Sequence, residues 1–268
     1  MYFVTVSEMI GTGGEAVARK VAEKLNYSLY AKKELFEAAE EMGYLSDLPQ
    51  MDLKNPHLLE KYFNDKPKIY LARFQSVIYE LAKKGNGLFV GKGSQLLLHS
   101  CDCALHVLVI ASMGKRIDRL VQTMKVEEVV AEKIIQTSDQ NKTVFSKYAF
   151  DEEWLIPQLY DITINMDRIN IETAVNLVVD AAQSEEIKAC SADAVATLGK
   201  LAIHRKIEFA LMEAGLLSLR IFFLVEDMET VRVYGTVYTE GEKEAIGRVV
   251  GEVKGVKTVN NDLTVLKH

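Results

Sequence analysis

The chain has 268 residues, 49% of them hydrophobic, and carries a net charge of −6 with a pI of about 5.5. That length holds one large domain or two ordinary ones with real cores. Charges of both signs are interspersed without a long basic run, which argues against nucleic-acid binding through a broad positive face. No stretch approaches the roughly 18 apolar residues of a membrane span, and Met1 leads straight into a strand without the regions of a signal peptide, so a cytoplasmic location is expected.

Tyr2 to Val6 is a run of β-branched and aromatic residues, Gly11-Thr12-Gly13-Gly14 turns the chain, and Glu15 to Leu25 repeats apolar residues at helical spacing. A buried strand thus feeds a glycine turn that opens a helix. Such a turn aims backbone amides and the positive end of a helix dipole at one point, as a phosphate requires. The bland alternative is a glycine turn with no ligand. The pattern G-x-x-x-x-G-K-[ST] fits poorly, because Glu8 stands at its first glycine, Gly14 at its lysine and Glu15 at its Ser/Thr.

Helices are expected at Ala31 to Met42, Pro56 to Phe63 and Lys66 to Lys84, with turn formers from Gly43 to Lys54. Leu88-Phe89-Val90 and Leu105 to Ile110 read as buried strands. Helices at Lys115 to Met124 and Val126 to Tyr148, a strand at Ile162 to Asn165 and a helix at Ile171 to Ala182 follow, so residues 1–185 are expected to form an α/β domain with a parallel sheet covered by helices. The polar stretch Gln183 to Ala192 reads as a linker. Beyond it, a helix at Asp193 to Ala214, strands at Leu219 to Glu226 and Thr230 to Val237, a helix at Gly241 to Val253 and a strand at Lys257 to Leu266 make a small α+β domain of residues 192–268.

Cys101, Cys103 and Cys190 are sparse and lack a C-x-x-C, so no disulfide framework is indicated. His99, Cys101, Cys103 and His106 could supply metal ligands, but in an extended segment His106 falls on the opposite face from the other three. Thiols serving as small hydrophobes are the preferred reading, and no metal site is expected there.

Ser7-Glu8-Met9-Ile10-Gly11-Thr12-Gly13-Gly14-Glu15-Ala16-Val17-Ala18 resembles the N-terminal motif of the cytidylate kinase-like family, roughly S-R-Q-x-G-S-G-G-R-x-I-A, which itself lacks the P-loop lysine. Leu25 to Tyr30 is similar to its LGxxxY, and Val90-Gly91-Lys92-Gly93-Ser94 to its VGRGA. Asp139, Lys142 and Trp154 fall at the spacing of its D…R…W lid segment, and Leu159 to Asn165 is close to its LYDLVIN. The resemblance implies a P-loop kinase-like fold, ATP and Mg²⁺ as cofactors, and phosphate transfer to CMP or a related acceptor.

It further implies that Gly11, Thr12, Gly13 and Gly14 hold donor phosphates, that Lys92 faces an acceptor phosphate, and that Asp139 and Lys142 act in the lid, where transfer depends on positioning and charge neutralisation. Lysine at 92 and 142 keeps the family arginine's charge but loses its bidentate fork. Each of these residues also has a plain structural reading as a solvated or packing residue, and Lys115, Arg116 and Arg119 are weaker candidates for nucleotide contact. Glu8 and Glu15 replace family arginines and Ala31 an aspartate. Two carboxylates beside a polyphosphate cost on the order of 1 kcal/mol each when exposed.

Val233-Tyr234-Gly235-Thr236-Val237, Glu244-Ala245 and the run from Val253 through Gly255-Val256 and Val259-Asn260 to Leu263 resemble the BON domain. That resemblance implies binding of phospholipid or a small ligand rather than catalysis, although Gly235 and Gly255 also fit as strand-end turns. Three readings therefore stand: a nucleotide kinase homologue, a catalytically degenerate P-loop module that binds nucleotide or ligand in a regulatory role, and a dinucleotide site on Gly11-x-Gly13-x-x-Ala16. Assembly into a homo-oligomer is left open.

Overall fold

The structure, a computed structural model, describes residues 3–44, 67–99, 101, 103–185 and 192–266. The helical piece expected at Pro56 to Phe63, most of the turn segment before it and the middle of the expected linker lie outside the described residues. The chain forms two compact units: Met1–Leu35 with Lys84–Cys190, and Phe36–Lys83 with Ser191–His268.

The first unit is built on a sheet of β1 (Phe3–Glu8), β2 (Ser28–Tyr30), β3 (Gly87–Val90), β4 (Ala104–Ile110) and β5 (Ile162–Asn165), ordered β2-β3-β1-β4-β5. Every neighbouring pair is parallel. Both faces of a parallel sheet are covered, so its strands need no polar alternation, which is why Leu88-Phe89-Val90 and Leu105 to Ile110 suit it. On one face Val4, Val6, Leu88, Val107, Val109 and Ile164 pack with α1 (Gly14–Leu25) through Val17, Ala18 and Val21. Val175 and Val178 of a helix at Ile171–Ala182 complete that layer. Its first turn is capped by Asn170, whose side chain accepts the Thr173 amide at 2.9 Å.

From β1 the chain runs to the β2 edge, returns to β3 and then crosses β1 to reach β4, so the order reverses beside β1, whose C-terminal end lies at the kind of crevice where open parallel sheets bind ligands. A dinucleotide-binding half-sheet sets β2 beside β1. Here β3 separates them, and the dinucleotide reading is set aside.

His106 lies buried in β4, its Nδ1 2.7 Å from the Thr5 hydroxyl on β1, and its backbone amide donates to Asp161 at 2.7 Å. Burial pushes its imidazole down to about 4. The unfolded chain, titrating at its ordinary value of about 6.5, takes up a proton that the folded protein refuses. The stabilisation is therefore complete above about pH 6.5 and is lost as the pH falls toward 4, by about 2 kcal/mol at pH 5. Urea unfolding at pH 7.5 and pH 5 should show that loss, and His106→Asn should remove most of it; an unchanged pH dependence in the variant would refute the assignment.

The second unit holds β6 (Ile221–Val225), β7 (Thr230–Val237) and β8 (Thr258–Val265), with β6–β7 antiparallel and β7–β8 parallel. Ile203, Ile207 and Leu211 of a helix at Ala192–Glu213 pack with Ile246 and Val250 of a helix at Glu240–Gly251 against Ile221, Val231, Val233 and Leu263. A further helix, Pro67–Ala82, packs along Ala192–Glu213. Two ion pairs tie them, Lys206 with Glu80 at 2.5 Å and Arg73 with Glu213. Gly235 sits inside β7 opposite Ile221, with φ +127°, and is not the strand-end turn that one reading gave it. Gly255, φ +108°, does lie in the turn before β8.

Candidate functional site

β1 ends at Glu8 and α1 begins at Gly14. Between them Gly11 (φ +84°) and Gly13 (φ +82°) take left-handed conformations that a side chain disfavours. A Cβ on Gly11 would also lie 2.8 Å from the Arg116 carbonyl oxygen. Gly13 caps α1 without a side-chain hydrogen bond, so the first-turn amides need another acceptor.

Glu8 supplies it. Its side chain folds back over the loop, Oε2 accepting the Glu15 amide at 3.0 Å and lying 3.3 Å from the Thr12 hydroxyl. That hydroxyl donates to the Met9 carbonyl at 2.8 Å and accepts the Gly14 amide at 3.2 Å. A Cβ on Gly14 would stand 2.7 Å from Glu8 Oε2, so glycine at this position is what admits the carboxylate. Burial pushes the Glu8 carboxyl up, opposed by Lys142 and by the Glu15 amide.

Three cations surround the loop. Arg116, 2% exposed, donates from Nε to the Ile10 carbonyl at 2.8 Å and grips Asp139 with both terminal nitrogens, at 2.8 and 2.7 Å. Arg116 belongs to α5 at Met113–Met124 and Asp139 to α6 at Glu128–Phe150, numbered in chain order with α2 at Lys32–Glu41, α3 at Pro67–Ala82 and α4 at Ser94–Leu97. One turn after Asp139, Lys142 donates to the Glu8 carbonyl and stands 5.2 Å from the centre of the Trp154 ring. Burial lowers the Lys142 ammonium, against the pull of Glu8 and Asp139. Arg119 sets Nη1 2.7 Å from where a Cβ on Gly13 would be, and among the described residues its guanidinium has no anionic partner. Glu15 points outward and pairs with Arg19 at 3.4 Å, both well exposed.

Lys92 lies on the neighbouring turn, exposed and with φ +58°, between Gly91, whose amide donates to the Val6 carbonyl at 2.8 Å, and Gly93, against which the Phe150 ring is pressed. Beside it Gln95 reaches the Tyr160 hydroxyl at 3.3 Å, and that hydroxyl donates to the Trp154 carbonyl at 2.6 Å. The structure thus gathers Gly11, Thr12, Gly13, Gly14, Asp139 and Lys142 at one loop and sets Lys92 on the next.

The sequence offers Arg116 only as a weaker nucleotide contact and does not single out Gln95 or its bond to Tyr160, whereas the structure pairs Arg116 with Asp139. The sign for Arg116 was there: it stands four residues before Leu120, on the buried face of an amphipathic helix, where a charge needs a partner. The His99, Cys101, Cys103 and His106 segment gathers no metal-ligand group among the described residues. Cys101 is a buried thiol outside any disulfide, whereas Cys103 is disulfide-bonded, contrary to the expectation that no disulfide is indicated and that the thiols act as small hydrophobes.

Residues 3–168 match the profile of the cytidylate kinase-like family. The chain belongs to that family. Residues 202–267 match the BON domain. No curated protein matches the chain. Among solved structures, an uncharacterized protein from Eubacterium ventriosum shares the fold at 19% identity and a TM-score of 0.56, over 69% of this chain and 100% of that one. A shikimate kinase from Bacteroides thetaiotaomicron aligns at 13% identity and TM-score 0.43, over 68% and 99%. A gluconokinase from Sinorhizobium meliloti aligns at 12% and 0.42, over 68% and 91%.

The cytidylate kinase-like family suggests nucleotide and Mg²⁺, and the loop does not fit them as it stands. The amide of Glu15 that would meet a phosphate oxygen already meets Glu8, and carboxylates stand at positions 8 and 15 where the family motif has arginines. No helix among the described residues is long and apolar enough to cross a membrane.

Proposed function

We propose that this chain is a catalytically degenerate member of the cytidylate kinase-like family. Residues 1–185 act as a P-loop module that binds nucleotide or another ligand in a regulatory role, and residues 192–268 act as a BON-like module for a small ligand or phospholipid, both in the cytoplasm. The observation that carries this reading is the state of the two charged lid residues. Asp139 is bound by Arg116 and Lys142 by the Glu8 carbonyl, so both serve the protein's own loop. Transfer chemistry would need such charges turned toward migrating phosphate.

Transfer from ATP-Mg to CMP is the alternative, supported by the ordered family match over residues 3–168. There Gly11, Thr12, Gly13 and Gly14 would hold the donor and Lys92, Asp139 and Lys142 the transfer. Isothermal titration with ATP-Mg, with and without CMP, together with an ADP-release assay, separates the two. The degenerate module gives no CMP-dependent ADP release, and turnover above the ATP blank would overturn it.

A further inference from the structure

We infer that the Glu8 carboxylate is an internal occupant of the loop's anion site, an autoinhibitory contact that an incoming phosphate must displace. The inference rests on reading residues 11–14 as the family's phosphate loop, but not on the loss of catalysis. A helix N-terminus offers unsatisfied amides and partial positive charge to an anion. In this chain that anion is covalently attached: Glu8 Oε2 takes the Glu15 amide at 3.0 Å with the Thr12 hydroxyl 3.3 Å away.

Three details of the surroundings fit such a built-in occupant. Gly14 leaves the room that the carboxylate fills, since a Cβ there would stand 2.7 Å from Oε2. Lys142 clamps the Glu8 backbone carbonyl, holding the residue whose side chain enters the loop. Arg119 rests against Gly13 without an anionic partner among the described residues, so positive charge persists beside the loop after Glu8 has taken its amide. A phosphate entering the loop meets the Glu8 carboxylate in contact range, and it gains the Glu15 amide only when Glu8 swings out.

Inorganic tripolyphosphate is the probe, titrated calorimetrically into the full-length protein and its variants. Glu8→Ala empties the loop while leaving the carbonyl that Lys142 holds. It should bind tripolyphosphate at least about ten-fold more tightly than the parent, the size expected when one contact-range repulsion is removed. Glu8→Gln, which keeps the shape, covers the case in which the alanine variant fails to fold, and should gain in the same direction. Glu15→Gln removes an exposed charge without emptying the loop and should change little. Equal affinity in the parent and the Glu8 variants overturns the inference, as does absence of binding in folded Glu8→Ala. A gain in Glu15→Gln matching that of Glu8→Gln overturns it too. Because tripolyphosphate binding involves no transfer, the outcome is separate from that of the ADP-release assay.

Discussion

Replacing Arg116 by methionine is expected to destabilise the first unit by about 3 kcal/mol, the lower end of the cost of removing one partner from a buried ion pair. The lower end applies because the Asp139 side chain is 26% exposed and water can partly compensate it. Asp139→Asn should cost at least as much, since it leaves a guanidinium of 2% exposure without its counter-charge. The double variant should lose clearly less than the sum, because each single change strands the other partner. Urea unfolding of the four proteins yields the coupling. If Asp139 instead serves only a reacting substrate, its substitution leaves stability unchanged, and the structural assignment is then wrong. Arg116 also holds the Ile10 carbonyl, so its loss should loosen the loop that Glu8 fills.

Gly235→Ala is expected to be as damaging in the second unit, at more than about 3 kcal/mol. The residue combines φ +127° with a Cβ position that overlaps the Arg220 carbonyl oxygen. That oxygen cannot withdraw without cost, because it accepts the Thr236 amide at 3.1 Å across the β6–β7 pair. Gly215 provides the control: it too has positive φ, +67°, but open space where a Cβ would go. Gly215→Ala should therefore cost about 1 kcal/mol, the conformational part alone. Thermal melts followed by circular dichroism compare the two, and equal losses would show that the overlap with Arg220 does not matter.

The sheet and its helices were legible because burial on both faces leaves plain apolar runs, as in β4, and because α1, α5 and Ile171–Ala182 carry their apolar residues at helical spacing. β2 was not read as a strand: Ser28-Leu29-Tyr30 is three residues long and gains its identity by pairing with Gly87-Leu88-Phe89, a partner distant in sequence. The four-residue helix Ser94–Leu97 is too short to show a period. At the loop, the sequence marked the glycines and the misplaced carboxylates. It could not show that Glu8 turns inward while Glu15 turns to Arg19, because that choice is made by the space at Gly14 and by the clamp from Lys142, 134 positions later. Arg116 and Asp139 were separate surface charges on paper, and only the packing of α5 against α6 joins them.

The second unit's helix α3, Pro67–Ala82, has a consequence for synthesis. Phe74, Val77, Ile78 and Leu81 on it are buried in the finished protein, and the helix it packs along begins at Ala192. At roughly 5–20 residues per second, the intervening stretch of about 110 residues takes on the order of 5 to 20 s to emerge from a ribosome. For that interval the apolar surface of α3 waits without its partner helix, while α1, β1, β3, β4 and β5 can already find one another. A nascent chain of this protein therefore presents a defined chaperone target in its middle, and a chain terminated after the first unit keeps that target for its whole life.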